Sequence, residues 1–86
     1  MVKDEYGQEI IEGDWIAAPL PGAQNMAIGK VSGFTKNNNP KFKKSNNSSE
    51  FTCMLRQGHD GKNWVMKAKF VKIIPTKEID LYYENN

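Results

Sequence analysis

The sequence predicts an all-β domain, a single small barrel of about five short, sharply bent strands. Three observations carry that expectation. Apolar residues come in short runs bounded by Gly, Pro, Asn and Asp. No 11-residue window before residue 75 shows a 3.6-residue apolar period. Two glycines, Gly29 and Gly33, stand inside the longest strand pattern, where a tightly coiled sheet needs bends. A chain of 86 residues makes one domain with a modest core.

The elements follow in order. Gly13-Asp14 reads as a tight turn, with Gly13 supplying a permissive backbone and the Asp14 side chain bonding the turn. Trp15-Ile16-Ala17-Ala18 is the first strand, ended by Pro19, Pro21 and Gly22, and it sends Trp15 or Ile16 into the core. Residues 26–35, MAIGKVSGFT, form the second, with Met26, Ile28, Lys30 and Ser32 on one face and Ala27, Gly29, Val31 and Gly33 on the other. Residues 36–50, KNNNPKFKKSNNSSE, are too polar for a packed strand and read as a long basic loop, with 37–49 mobile. Phe51 to Leu55 is a third strand, Asp60-Gly61 a hairpin turn, and residues 64–74 one or two further strands. The barrel therefore covers residues 1–75. Residues 76–86 are a C-terminal tail, either extended or one frayed helical turn begun by Thr76. Ile16, Ile28, Val31, Met54, Val65, Val71 and Ile73 are the expected core. Trp64 is expected to cap it, with half exposure as the alternative.

Three stretches carry a resemblance. The pattern I-x-x-G-D-x-I ending at Ile16, then I-G-K-V at residues 28–31 and F-V-K-I at residues 70–73, resembles SH3-like barrels of the KOW and Tudor kind. The general texture is also similar to small uncharacterised proteins of tailed bacteriophages. The resemblance covers residues ~7 to 74 and implies the five-stranded barrel. The connection after the first strand, Pro19 to Asn25, is longer than KOW modules usually have, so their nucleic-acid residues do not map onto this chain one by one. GKVSGFTK is also similar to the first strand of cold-shock barrels, but their later aromatic pairs are absent.

Composition narrows the chemistry. The net charge of +2 hides an uneven distribution: −4 over residues 1–15, +8 over residues 30–72 and −2 over residues 77–86. A basic middle between acidic ends favours a polyanionic partner. No apolar run approaches the ~20 residues that span a bilayer, and MVKDEYGQEI lacks the apolar region of a signal peptide. With one cysteine, Cys53, no internal disulfide forms, and the expected compartment is the cytoplasm. Cys53 reads as a small buried hydrophobe. The lone His59, beside Asp60, reads as a solvated turn residue, and Asp4 and Glu5 as part of an exposed acidic start. No phosphate loop or metal-ligand spacing is present, so no cofactor, metal or catalytic residue is expected, and the chain is read as a non-enzymatic binding module.

The expected function is nucleic-acid binding, DNA or RNA, through Lys36, Lys41, Lys43 and Lys44 with Lys67 and Lys69 on the phosphates and Phe42 stacked on a base. The alternative is a protein-binding adaptor or an inhibitor of a host protein, phage-encoded, using Trp15, Met54, Trp64, Tyr82 and Tyr83.

Overall fold

The computed structural model describes residues 1–19, 26–53 and 56–86, with backbone alone at residues 56, 57, 60, 66 and 67. Its elements are β1 (Val2–Lys3), β2 (Glu9–Ile10), β3 (Trp15–Pro19), β4 (Met26–Phe34), β5 (Pro40–Lys43), β6 (Glu50–Thr52), β7 (Arg56–Asp60), β8 (Asn63–Lys67), β9 (Val71–Ile73) and α1 (Lys77–Asn85). Strands dominate, as expected, but among the described residues they do not close into a barrel. They form a central five-stranded sheet in the order β6-β5-β4-β3-β9, flanked by the two-stranded pairs β1-β2 and β7-β8. Closure would require a later strand to bond the outer edge of β6. Instead β9 pairs with β3, from Trp15↔Ile73 to Ala17↔Val71. β7 and β8 bond each other, in register from Arg56↔Lys67 to Asp60↔Asn63. The hairpin turn falls one residue later than Asp60-Gly61 suggests, at Gly61-Lys62, where Gly61 takes φ +64°.

The Gly13-Asp14 turn forms for the expected reasons. Gly13 has φ +94°, and Asp14 Oδ2 accepts the Ile11 amide at 2.9 Å. The turn is also stitched to β4: the Gly13 amide donates to the Val31 carbonyl at 2.9 Å, and the Val31 amide to the Asp14 carbonyl at 2.8 Å. It precedes β3 because it hands the N-terminal segment across to β4.

Alternation along β4 follows the sequence pattern. Ala27, Gly29 and Val31 face inward, and the register slips between Val31 and Gly33, a bulge where the glycines suggested one. Ile28 is a correction to the expected core. It pairs with Ala17 on the opposite face and is 39% exposed. Since successive side chains alternate, Ile28 and Val31 cannot share one face. The core joins Ile10, Ile16, Ala18, Ala27, Val31, Phe42, Cys53 and Phe70; Val65, Val71 and Ile73, expected in it, are only half-buried, Val71 and Ile73 because they pair with Ala17 and Trp15 on the face opposite Ile16. Met54 lies outside the described residues, as do Pro21 and Gly22, the expected stops of the first strand. Trp15 and Ile16 are both buried although they point to opposite faces, because α1 covers the face that carries Trp15.

The largest correction concerns residues 36–50. No long loop exists there. A turn over residues 35–39, with Asn38 at φ 64°, leads into β5, which bonds both β4 and β6. Thr35 holds that turn, its hydroxyl accepting the Asn39 amide at 3.0 Å. The Asn/Ser cluster forms a second tight turn in which Ser48 Oγ accepts the Lys44 amide at 3.0 Å and the Ser45 amide at 3.2 Å. Polarity misleads because one ring anchors the segment. Phe42 is 0% exposed and sits over Gly29, where an added Cβ would stand 2.5 Å from both Phe42 Cδ2 and the Lys43 carbonyl. Burying such a ring contributes roughly 1.5–3 kcal/mol, which with the ladder bonds to β4 and β6 offsets the ordering of a short strand.

The C-terminal tail is a helix of nine residues rather than one turn. Thr76 caps it by accepting the Ile79 amide at 3.3 Å, and Glu78 and Asp80 complement the positive end of its dipole. At its other end the amides of Asn46 and Asn47 donate to the carbonyls of Tyr83 and Asn86, at 2.9 and 2.8 Å. Tyr83 meets Trp15 edge-on, with ring centroids 5.3 Å apart.

Asp4 is not part of an exposed start. It is 5% exposed. Its Oδ1 accepts the amides of Tyr6 and Gln8 at 3.0 and 2.7 Å, and its Oδ2 accepts Gln8 Nε2 at 3.3 Å and the Lys72 amide at 2.8 Å. One carboxylate thus closes the β1-β2 turn and ties it to β9.

Two outcomes are expected. Phe42→Ala should lower unfolding free energy by about 3–5 kcal/mol, because it leaves a cavity under Gly29; a urea midpoint equal to the parent's would contradict the assignment of β5. Asp4→Ala should cost on the order of 2–4 kcal/mol by orphaning amide donors, with Asp4→Asn recovering part of the loss. A loss of only a few tenths would show that the carboxylate ties nothing together.

Candidate nucleic-acid interface

β5 reads Pro40-Lys41-Phe42-Lys43, and strand alternation does the rest. With Phe42 turned into the core, Lys41 and Lys43 must project from the opposite face. There Lys43 stands directly across from Lys30 of β4 on one side and Glu50 of β6 on the other. Lys41 lies one row along, opposite Gly33 and Thr52. Lys44, at the end of β5, is exposed, with its Nζ 5.6 Å from the Phe51 ring centroid. It overhangs a cleft of about 350 Å³ between β4 and α1, lined also by Ile28, Glu78, Ile79 and Tyr82.

Two devices organise these cations. Lys30 Nζ lies 5.3 Å from the centroid of Tyr83 and 6.0 Å from that of Trp15, so its ammonium group sits over the aromatic pair that fastens α1. Glu50 serves the second: it accepts a hydrogen bond from the hydroxyl of Ser32, the bulged residue of β4, and its Oε1 is 3.5 Å from Lys41 Nζ. The Ser32 hydroxyl above all holds the Glu50 carboxyl below its ordinary value of 4.5; desolvation opposes it, and the charge and hydrogen bond of Lys41 and the charge of Lys43 add to the lowering. Among the described residues, Lys41 is the one of these four lysines with a carboxylate within 4 Å.

The remaining expected site residues scatter. Lys36 is exposed in the turn beyond the Phe34–Pro40 pair, at the far end of the ladder from Lys30–Lys43. Lys69 is half-buried between β8 and β9. Lys67 ends β8 opposite Arg56, and its side chain lies outside the described residues. Phe42 is corrected outright, since a fully buried ring has no face to offer a base. Sequence reasoning missed Lys30, although its place on the outer face of the second strand was already evident from alternation. It also misplaced the aromatics. Trp64 is 67% exposed rather than capping the core, and His59 lies in strand β7, not in a turn, its ring centroid 3.9 Å from that of Trp64. Cys53 is buried as expected, and burial pushes its thiol up to about 12, so it carries no thiolate near neutral pH.

A depressed carboxyl contributes stability that is fully present above its unfolded pKa and is lost as pH falls through the folded value. Glu50→Gln should therefore lower the urea midpoint most above the ordinary carboxylate range and converge on the parent as the pH falls below it. A gap that widens in acid would overturn the Ser32–Glu50–Lys41 arrangement. Comparison of the chain with protein-family models, with curated proteins and with solved structures gives no match.

Proposed function

We propose that this protein is a binding module for nucleic acid, holding the phosphate backbone against Lys30, Lys41 and Lys43 on the outer face of the central sheet, with Lys44 at the edge of that face. The observation that carries the reading is the Lys30–Lys43 cross-strand pair. Like charges directly opposite on a sheet are destabilising, and here Lys41 and Lys44 add to the same positive field. A phosphate seated between the paired ammonium groups relieves that repulsion and releases condensed counterions. The lysines of β5 contact backbone rather than base edges, so the affinity they supply is insensitive to sequence.

Exposed apolar side chains support the adaptor reading as the second. Tyr82, 61% exposed, and Ile28 line the cleft beside α1, and Met26 and Leu81 are 52% and 57% exposed. Tyr82→Ser with Met26→Ser separates the two readings, since it removes apolar contacts and leaves every lysine in place.

Binding of fluorescent oligonucleotides, followed by anisotropy between ~50 and ~200 mM salt, tests the proposal. Affinity should fall steeply with salt, and Lys30→Ala/Lys43→Ala/Lys44→Ala should reduce the logarithmic salt slope by about two to three, with all sequences affected alike. Glu50→Gln should strengthen binding. No binding at ~50 mM salt, or a slope unchanged in the triple variant, would sink it.

A further inference from the structure

The β7-β8 hairpin has no role in the central sheet. Its strands bond only each other among the described residues, and the molecule is elongated, 46 × 26 × 25 Å. Residues 56–69 carry Arg56, Lys62, Lys67 and Lys69 against Asp60 alone, a net charge of +3. On this basic arm stands an exposed tryptophan, Trp64, 67% accessible. Its indole is not a loose surface group. Trp64 is the register partner of His59, and the two rings lie 3.9 Å apart with their planes at 43°. Cross-strand support of this kind restricts the ring before any ligand arrives, which lowers the ordering entropy of binding.

We propose, building on the nucleic-acid reading, that the hairpin is a stacking arm for unpaired bases. Trp64 supplies the stacking face, His59 braces it from the neighbouring strand, and the cationic residues of the arm attract the flanking phosphates. This gives the module the aromatic contact that Phe42, buried in the core, cannot make. The chemistry selects single strands. A ring on a protein surface reaches a base face only where the base is unstacked from its neighbours, and a regular duplex withholds those faces. Stacking is tolerant of sequence because every base presents a π-face.

Intrinsic fluorescence tests this directly, because Trp15 is 7% exposed and Trp64 67%. In a Trp15→Phe protein Trp64 is the sole indole, and titration with an unstructured oligothymidylate at ~50 mM salt should quench its emission, whereas a duplex of equal length should not. Because Trp15 packs under α1, the measurement that avoids disturbing it is anisotropy with a labelled oligothymidylate. Trp64→Ala should weaken that binding roughly tenfold or more while leaving the salt slope unchanged. Trp64→Phe should restore most of the loss. Circular dichroism of Trp64→Ala should match the parent. If Trp64→Ala binds like the parent and emission is unquenched while the triple lysine variant loses affinity, the arm has no stacking role and the lysine-face reading stands. Equal quenching by duplex overturns the single-strand assignment. If neither oligonucleotide binds the parent at all, both readings fall.

Discussion

The missing side chain at residue 29 is the constraint on which the rest depends. Gly29 leaves the inner face of β4 open, and Phe42 fills that space so closely that a methyl group would collide with its ring and with the backbone beside it. Seating Phe42 makes residues 40–43 a strand despite their polar surroundings. Once β5 exists, alternation leaves Lys41 and Lys43 no choice of face, and pairing with β4 brings Lys30 against Lys43. Core packing and surface charge are thus two sides of one Lys-Phe-Lys triplet.

Asp4 imposes a second constraint of a different kind. Residues 4 and 72 are remote in sequence, and the central sheet alone would leave β9 as an edge held only by β3. The carboxylate takes the Lys72 amide, and the Glu5 amide donates to the Phe70 carbonyl at 3.0 Å. The N-terminal turn therefore occupies part of an edge that would otherwise invite pairing with another chain. The side chain of Lys72 reinforces the same junction, its Nζ lying 3.4 Å from Asp14.

What was legible in the sequence was whatever short-range chemistry decides. β3, β4, the Gly13-Asp14 turn and the bulge near Gly33 follow from alternation and from glycine placement, and the structure contains each. β5 was not legible, because PKFK holds a single apolar ring between polar clusters and becomes a strand only through a vacancy on another strand. Helix α1 was underread for a similar reason. It buries no residue completely, so its stripe is weak, and its support comes from Trp15, Asn46 and Asn47. In the candidate site, the clustering of Lys41, Lys43 and Lys44 could be read from spacing. Which aromatic is exposed could not, since exposure is settled by packing: Phe42 and Trp64 exchange the places that composition assigned them.

The two hydrogen bonds from Asn46 and Asn47 to the end of α1 couple segments some forty positions apart. Fraying of the last helical turn would break both bonds and remove a support of the β5-β6 turn. The same turn of helix carries Tyr83, whose ring covers the Trp15 indole and lies against the Lys30 ammonium, so a support of the β5-β6 turn and the covering of the sheet face depend on one short stretch of helix.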